Sequence, residues 1–372
     1  LVGGYEVYQV FTTNMQTGLV DDYYFVKPLE TPVIKIVSSN DISVGNHFDI
    51  SDYSIQNFSL SKFKVTLNGD GDENPYEIYS ENDLYAMFFE PDANYILMNN
   101  IYLENFDGLQ GVTFTGSFDG NEKAISGLNI DVDPRAMDID YYYGFFSIID
   151  GAEIKDLTFT YPTLTLRYVE DVTHAGPGYM HLGVLSGRAI NSDIDNVDVQ
   201  YANISNSRFR AYNGGIVGSL YEGSITNSDV FSSTIYGTGT TGGIVGAIIG
   251  LVDSYALIGN CKYYGTQEND AVLHFYATGE YRAFGGIAGY AEFTTLRDLE
   301  IEHTYFAING TFQFTPSIGY IAGHIKNCEV YLDTLIIASS TASKSVDYDG
   351  RDGRYFASYD YKFGSFESLD IK

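Results

Sequence analysis

The chain has 372 residues, with 49 acidic against 20 basic side chains and a formal net charge of -29. This excess of negative charge repels phosphate groups, which argues against nucleic acid and anionic lipid surfaces as partners. No stretch approaches the ~18 consecutive apolar residues of a membrane span, so membrane insertion is not expected. A content of 39 Gly, 33 Tyr and 24 Phe with only 8 Pro and no Trp is typical of a chain made of strands and turns.

Residues 1–68 are predicted to form a small β-rich module. They contain four strand-like runs, at Tyr5–Phe11, Tyr23–Val26, Val33–Val37 and Phe63–Leu67. The stretch Thr31–Tyr53 resembles part of a bacterial immunoglobulin-like repeat, which implies an immunoglobulin-like module. One function of such a module is to cover the open strand edge of the domain that follows.

An acidic segment lies at the junction of the two predicted domains. Asp70, Asp72 and Asn74 place oxygen-bearing side chains at alternate positions, and Glu81 falls where a Ca²⁺-binding loop has its last ligand. Pro75 stands where such a loop needs glycine. The sequence therefore favours an ordinary acidic turn and keeps these four residues as a candidate Ca²⁺ site. No other cofactor is expected.

From about residue 144 a short apolar motif that begins with glycine, called here the glycine word, recurs at irregular intervals. Its copies begin at Gly144, Gly183, Gly215, Gly243, Gly286 and Gly319. A fixed word at varying intervals indicates a short structural unit that repeats with loops of different length. Alternating apolar and polar residues between the words, as in Leu157–Tyr161, predict strands with one buried face. No repeat shows a helical pattern.

A second landmark follows each glycine word: an apolar residue two places before Asp, Asn or Ser. The polar residues at this landmark are Asp156, Asn196, Asn227, Ser254, Asp298 and Asn327. If the repeats stack, these side chains form a ladder in which no two carboxylates are adjacent. Adjacent carboxylates would repel one another, whereas amides pass hydrogen bonds along a stack. We therefore expect a structural ladder rather than a catalytic carboxylate pair.

The repeats predict an all-β fold class. Stacking like on like in a parallel coil buries the apolar position of every repeat on its neighbours, and crossovers between parallel strands are nearly always right-handed. We therefore expect a right-handed parallel β-helix, a solenoid, over residues 69–340. It is preceded by the small immunoglobulin-like β module of residues 1–68 and followed by an irregular C-terminal coil or cap over residues 341–372.

Several segments resemble bacterial surface-protein β-helices with GLUG-type repeats. Those that resemble the first coils are Gly71–Leu84, Asn94–Leu103 and Phe114–Leu128, and those that resemble the GLUG words are Gly214–Gly218, Gly242–Gly246 and Gly285–Gly289. The resemblance covers about residues 70–340. It implies the β-helix found in adhesins and in the non-catalytic N-terminal region of immunoglobulin-A1-protease-like metallopeptidases. No histidine here begins the His-Glu-x-x-His zinc motif of those peptidases, so their activity is not implied.

Catalysis has little support in the sequence, and no catalytic residue is assigned. The best candidate for a polysaccharide-acting acid and base is Asp138 with Asp140, beside Tyr141–Tyr143. A solvated loop with aromatic cover has the same pattern, and we favour it because acidic and aromatic residues occur throughout the chain. Ser186 occupies a repeat position rather than a nucleophile elbow. The scattered histidines form no close pair for a metal.

Cys261 and Cys328 both follow an asparagine. Two cysteines are too few for a disulfide scaffold, and a bridge would need the Cα atoms of two coils within ~7 Å, so buried free thiols are expected. Because the wall of a repeat structure is uniform, the expected binding surface is formed by the loops at Tyr161–Tyr179 and Lys262–Arg282.

The sequence favours a non-catalytic, secreted or cell-surface role as an adhesin-like binding segment or structural stalk. The expected partner is a glycan or protein of a host or neighbouring cell. Two alternatives remain: a polysaccharide-acting lyase or hydrolase, and the exosite region of a larger secreted zinc metallopeptidase. The chain begins without Met or a leader pattern, so we expect a processed form or part of a longer protein.

Overall fold

The computed structural model describes the chain in several segments. Backbone structure is described for residues 5–13, 20–28, 43–44, 48–49, 60–65, 67–132, 140–167, 178–207, 210–276, 283–309, 317–331, 336–338 and 341–342. Side chains are described for residues 67–132, 140–167, 178–207, 210–274, 283–307 and 318–331. Structural statements below concern these residues.

The N-terminal strands form antiparallel pairs. They are β1 (Tyr5–Thr13), β2 (Val20–Pro28), β3 (Ser43–Val44), β4 (Phe48–Asp49) and β5 (Leu60–Val65). The order β2-β1-β5 makes a three-stranded sheet, and β3 pairs with β4. Three of the four predicted strand runs therefore overlap observed strands, while Val33–Val37 lies outside the described residues.

A short opening segment leads into the repeats. It contains β6 (Tyr76–Ile78), α1 (Glu81–Leu84), a 3₁₀ helix (Tyr85–Phe88), β7 (Tyr95–Leu97), β8 (Ile101–Tyr102), β9 (Leu109–Phe114), β10 (Ser117–Ser126) and β11 (Asn129–Val132). Strand β6 pairs with β7 in parallel, and β10 pairs in parallel with β7, β8 and, further along, β14 (Glu153–Thr160). Parallel pairing thus begins before the first glycine word.

After residue 140 the chain passes repeatedly through three parallel sheets in a fixed order. A pass contributes strands in turn to a six-stranded sheet (the short sheet), a seventeen-stranded sheet (the large sheet) and a seven-stranded sheet (the side sheet). The strands of the first three passes are β12 (Tyr141–Tyr143), β13 (Phe146–Asp150), β14, β15 (Thr163–Leu166), β16 (Met180–Leu182), β17 (Ser186–Gln200), β18 (Asn203–Asn206), β19 (Ala211–Gly214), β20 (Val217–Thr226), β21 (Asp229–Phe231) and β22 (Thr234–Gly237).

Three further passes repeat this order. Their strands are β23 (Thr240–Gly242), β24 (Val245–Ile249), β25 (Ala256–Tyr264), β26 (Ala271–Tyr276), β27 (Ala283–Gly285), β28 (Ala288–Glu292), β29 (Thr294–Glu302), β30 (Thr304–Asn309), β31 (Ser317–Gly319), β32 (Ala322–Lys326), β33 (Glu329–Tyr331), β34 (Ile336–Ala338) and β35 (Thr341–Ala342). The described residues of these passes are thus mostly β structure with parallel pairing.

The register between passes pairs equivalent apolar residues of successive strands, and this pairing builds the core. One continuous buried column consists of Phe118, Ile154, Ile194, Ile225, Ile258, Leu296 and Val330. Each member is at most 2% exposed. Since each apolar side chain is covered by its equivalents above and below, burial accumulates along the stack rather than in one central cluster.

Residues in the left-handed conformation mark the bends between strand segments. One column of them contains Asp156, Asn196, Asn227, Asn260 and Asp298, with φ between 49° and 54°. Asn and Asp tolerate this conformation better than other residues with a side chain. This column corresponds to the predicted ladder, and it contains four of its six predicted members.

The structure corrects the other two ladder assignments. Ser254 lies in an exposed bend closed by its bridge to Leu251, and Asn260 takes the place expected for it. Asn327 lies opposite Phe293, because Glu292 pairs with Lys326 and Thr295 with Glu329. It belongs to an earlier bend of the large sheet, where the left-handed residues are Gly151, Asn191, Glu222, Phe293 and Asn327.

The cysteines are bend residues as well. Both are buried and free, as expected. Each follows a left-handed asparagine, and its thiol points at the carbonyl oxygen two residues earlier, at 3.3 Å for Cys261 and 3.4 Å for Cys328. Ser228 makes the equivalent contact to the carbonyl of Thr226 at 2.7 Å. The thiols therefore occupy positions that a serine hydroxyl fills in another pass.

Among the residues that the structure describes, no helix has the length and apolar character needed to cross a membrane.

Candidate functional site

Asp70 and Glu81 of the predicted Ca²⁺ site accept hydrogen bonds from two different segments of the chain. Asp70 accepts the backbone N–H groups of Asp72 at 3.0 Å and Asn74 at 2.9 Å, and the side-chain amide of Asn74 at 2.7 Å. Glu81 instead accepts the backbone N–H of Glu104 at 3.1 Å and those of the next two residues. The bonds that Asp70 accepts from Asn74 and Asp72 lower the pKa of its carboxyl group, and the bond from the Asn74 side chain is the main cause. The arrangement is that of a self-closed acidic turn.

Of the two residues considered as an acid and base acting on polysaccharides, Asp138 and Asp140, the structure describes only Asp140. Asp138 lies outside the described residues. Asp140 is exposed, and its carboxylate accepts the backbone N–H of Tyr179 at 2.8 Å and the Tyr142 hydroxyl at 3.2 Å. Ser186 is fully buried and donates to the carbonyl of Arg188, so its hydroxyl is not presented to solvent.

The predicted binding loops are only partly within the described chain. Residues 168–177 and 277–282 lie outside it. Much of Lys262–Arg282 belongs to strands β25 and β26, and the bend between them contains Thr266, which accepts the backbone N–H of Asn269 at 3.0 Å. The chemistry that the structure brings together lies on the strands themselves.

A polar pocket opens on the outer face of the large sheet, across the third to fifth passes. Its volume is about 140 Å³, and it is lined by Asn227, Asp229, Asn260, Cys261, Lys262, Asp298 and Glu300. Three ladder residues form one side, and the residues two places after each of them form the other. Because the left-handed ladder residues bend the strands, side chains from both positions converge on one hollow.

Two acidic residues in this region are partly desolvated. Asp229 is paired in register with Asp198 on one side and Lys262 on the other, and Asp198 accepts the backbone N–H of Asp229 at 3.0 Å. Burial, assisted by the charge of Asp198, raises the pKa of Asp229 to about 6. Burial also raises the pKa of Asp198. Protons are therefore held here more tightly than by exposed aspartates.

Lys262 is the cation of the pocket. Its ammonium group lies 3.0 Å from the Glu300 carboxylate, 2.8 Å from that of Glu302 and 4.5 Å from the centre of the Tyr264 ring. Burial lowers the pKa of Lys262, but the bonds to Glu302 and Glu300 outweigh burial and raise it overall. Asp298 Oδ1 is buried and has no hydrogen-bond partner among the described residues, so it remains an available acceptor.

A column of aromatic rings borders the pocket. The aromatic column consists of Tyr161, Tyr201, Phe231 and Tyr264, whose successive ring centres are 4.9, 5.3 and 4.8 Å apart. Tyr161 is 65% exposed and Tyr201 38% exposed. Phe231 follows Asp229 by two residues, and Tyr264 follows Lys262 by two, so polar and aromatic side chains lie side by side on the same outer face.

A second concentration of functional groups lies where the outer faces of the short and large sheets meet. We call it the crease; it contains Asp140, Tyr142, Tyr179, His181, Arg188, Tyr212, Ser219 and Tyr221. His181 on the short sheet bonds to Ser219 on the large sheet at 2.6 Å, and Arg188 donates to the Tyr142 hydroxyl at 3.1 Å. Outward side chains of two different sheets thus touch, so the outer surface is concave here.

The crease does not have the geometry of a nucleophilic triad, although it contains Ser, His and Asp. Ser219 is fully buried, so its hydroxyl has no access to a substrate. Burial lowers the pKa of His181 to about 3, which keeps the imidazole neutral. The crease is therefore not arranged for acyl transfer.

Sequence reasoning identified the ladder but missed the pocket and most of the crease. A signal for the pocket was present, since Asp198, Asp229, Lys262 and Glu300 each follow a ladder residue by two places. No comparable signal marks His181 and Arg188, because their neighbours come from different sheets.

No protein-family model and no curated protein matches the chain. Function is therefore inferred from the chemistry of the pocket and the aromatic column.

Proposed function

We propose that this chain is a right-handed parallel β-helix of the GLUG type that works outside the cell as an adhesin-like, glycan-binding segment. The chain contributes strands to three parallel sheets in the same order in every pass, and equivalent residues of successive passes pair with each other. Both features support the β-helix, and the rule that crossovers between parallel strands are right-handed supports its handedness. The N-terminal antiparallel strands fit the small immunoglobulin-like module that would cover its first edge.

The observation that carries glycan binding is the aromatic column and its position next to the polar pocket. Its exposed rings, Tyr161 and Tyr201, lie in the first and second passes, and its half-buried rings, Phe231 and Tyr264, lie beside the pocket. A sugar ring has an apolar face of C–H groups and a rim of hydroxyls, so it needs a flat apolar surface next to hydrogen-bonding groups. Tyr161 and Tyr201 offer the surface. The carboxylates, amides and ammonium of the pocket offer acceptors and donors. The overall negative charge favours neutral or cationic glycans over acidic ones.

Retention of polysaccharides on the immobilised chain tests this proposal. Tyr161→Ala and Tyr201→Ala should each weaken binding of the retained glycan at least about tenfold, because each removes exposed aromatic surface. Tyr331→Ala is the matched control: Tyr331 is 47% exposed on the large sheet but lies outside the aromatic column. The proposal fails if no glycan is retained, or if all three variants retain it equally.

A second candidate function is polysaccharide cleavage, and the Asp198 and Asp229 pair is the observation that favours it. With a pKa of about 6, Asp229 keeps its proton in mildly acidic solution, as a general acid requires. Release of reducing or unsaturated ends from the retained polysaccharide is the measurement. Loss of that release in Asp229→Asn, with binding preserved, would establish an enzyme. Retention without any release would leave the non-catalytic function in place.

A further inference from the structure

The polar pocket of the large sheet offers more hydrogen-bond acceptors than donors. The ammonium group of Lys262 bonds to Glu300 at 3.0 Å and to Glu302 at 2.8 Å, and it lies 4.5 Å from the centre of the Tyr264 ring. These contacts account for its three N–H groups. The side-chain oxygen of Asn260, in contrast, accepts no hydrogen bond from a described residue, because the amide only donates, to the ladder residue of the preceding pass. A ligand of this pocket therefore needs donor groups above all.

The lining of the pocket is also short of positive charge. It contains the carboxylates of Asp229, Asp298 and Glu300 but a single cation, Lys262. Arg297, which does not line the pocket, brings its Nε atom within 3.3 Å of the Asp298 carboxylate. The side chain of Arg297 is 62% exposed, so solvent weakens this pair. The remaining negative charge attracts an added cation.

The polar groups of the pocket can be reached from solvent. Asn227 and Asn260 are exposed, and the side chains of Asp298 and Glu300 are 32% and 28% exposed. The volume of the pocket is about 140 Å³. A cavity of roughly 150 Å³ holds one benzene molecule, so the pocket has room for a ligand group about the size of one ring.

The cation that suits this pocket is organic rather than metallic. Among the described residues, no three His, Cys, Asp or Glu side chains form a group that could hold a metal ion. An ammonium group needs no fixed coordination shell and brings three N–H donors. The half-buried rings of Phe231 and Tyr264, 4.8 Å apart between centres, lie beside the pocket. They offer apolar surface to the C–H groups of a sugar ring that carries the ammonium.

We propose that the pocket binds the protonated amino group of an unacetylated amino sugar. The ammonium donates to the amide oxygen of Asn260 and to the carboxylates of Asp298 and Glu300, while the sugar ring lies toward Phe231 and Tyr264. N-acetylation removes the positive charge, and an acidic sugar meets like charge, so both are disfavoured. The inference rests on the proposed glycan-binding function and names the class of sugar that this pocket takes.

A chemical-shift titration of the full ¹⁵N-labelled chain at pH 7 tests this inference. The probes are the methyl glycosides of glucosamine and galactosamine, compared with those of glucose and N-acetylglucosamine. At least one amino glycoside should shift the side-chain amide signals of Asn227 and Asn260 saturably. It should bind at least about tenfold more tightly than the two uncharged glycosides. Asn260→Gly, which the left-handed bend accepts, assigns the Asn260 signals by their disappearance.

Asp298→Asn and Asp156→Asn are a matched pair of variants. Both residues belong to the ladder and are left-handed, and asparagine occupies this place in other passes, so both variants should fold. Each loses one negative charge, but only Asp298 lines the pocket. Asp298→Asn should weaken binding of the amino glycoside at least about fivefold, and Asp156→Asn should leave it unchanged. Equal effects of the two variants, or none from either, would overturn the proposal.

A peptide probe and the polysaccharide assay separate the remaining outcomes. Nα-acetyl-lysine amide presents an ammonium on a peptide, and binding as tight as that of the amino glycoside would overturn the sugar assignment in favour of a basic protein partner. If polysaccharide is retained through the aromatic column but no amino glycoside shifts the Asn260 signals, the inference fails and the proposed function stands. Binding of the amino glycoside without retention of any polysaccharide sinks the proposed function alone. If neither occurs, both fail.

Discussion

At the scale of single residues, backbone conformation explains the polar ladder better than side-chain bonding does. Asn196 donates to Asp156 at 2.7 Å, and Asn260 donates to Asn227 at 2.6 Å, but Asn227 donates to Asp195 instead of to its ladder neighbour. All five members are nevertheless left-handed. Asn and Asp are therefore placed here first by the bend they permit, and the amide bonds add to it.

The ladder gives a test at two positions in the same pass. Asn260→Ala should lower the free energy of unfolding by about 1–2 kcal/mol, because alanine is disfavoured in the left-handed region and the bond to Asn227 is lost. Asn260→Gly should recover much of that loss. Ser254→Ala should change little, since Ser254 lies in the exposed bend. Urea unfolding measures all three, and equal effects at the two positions would contradict the register.

Asp229 predicts a dependence of stability on pH. Its pKa in the folded chain, about 6, exceeds the ordinary value of 3.8, so the folded state binds more protons between these values. Its stabilising contribution is complete below pH 3.8 and is lost as the pH rises through about 6. Asp229→Asn should therefore raise the free energy of unfolding at pH 8 by on the order of 1 kcal/mol, allowing for partial solvation, and change it little near pH 4.

Exposed Asp253 supplies the control for this pH effect. It lies in the bend before β25, so Asp253→Asn removes one negative charge without touching the pocket. Its effect on stability should stay small at both pH values. A gain at pH 8 equal to that of Asp229→Asn would assign the effect to net charge rather than to burial of the Asp229 carboxyl.

At the scale of strands and bends, the glycine word was located in the sequence but its register was one residue out in three copies. The aligned column contains Gly144, Gly183, Gly214, Gly242, Gly285 and Gly319, the first glycine of each doubled pair where there is one. The pattern alone could not decide between two adjacent glycines. Only pairing with neighbouring strands distinguishes them, because both are surrounded by backbone.

Two glycines of the fourth pass differ in what surrounds them, and this difference is testable. A Cβ atom on Gly243 would lie 2.0 Å from the carbonyl oxygen of Gly286 and 2.6 Å from ring atoms of Tyr263, whereas on Gly259 its nearest contact would be at 3.6 Å. Gly243→Ala should therefore cost about 3 kcal/mol or more. Gly259→Ala should be neutral or add about 0.4–1 kcal/mol, because the unfolded chain loses freedom.

Thermal unfolding followed by circular dichroism compares the two glycine variants. The midpoint should fall well below that of the wild type for Gly243→Ala alone. A similar loss for Gly259→Ala would mean that the strand there cannot accept a side chain, which would contradict the register of β25 with its neighbours.

At the scale of the whole molecule, the sequence predicted the all-β class and the parallel stacking but not the surfaces that carry function. A sequence motif that repeats reveals only the features that recur in every pass, such as the buried apolar column of the core. Function depends instead on what differs between passes at one register, such as Lys262 between Asp229 and Glu300. The crease is harder still, since His181 and Ser219 come from different sheets in successive passes.

The net charge of -29 gives the last prediction. Like charges on a folded chain repel more than on the expanded unfolded one, and salt shortens their range from about 30 Å at 0.01 M to about 8 Å at 0.15 M. The midpoint of thermal unfolding should therefore rise over that range of NaCl. At matched ionic strength CaCl₂ and MgCl₂ should act alike, because Asp70 and Glu81 are engaged by separate backbone N–H groups. A larger rise with Ca²⁺, abolished in Asp70→Asn, would instead make this acidic turn a cation site.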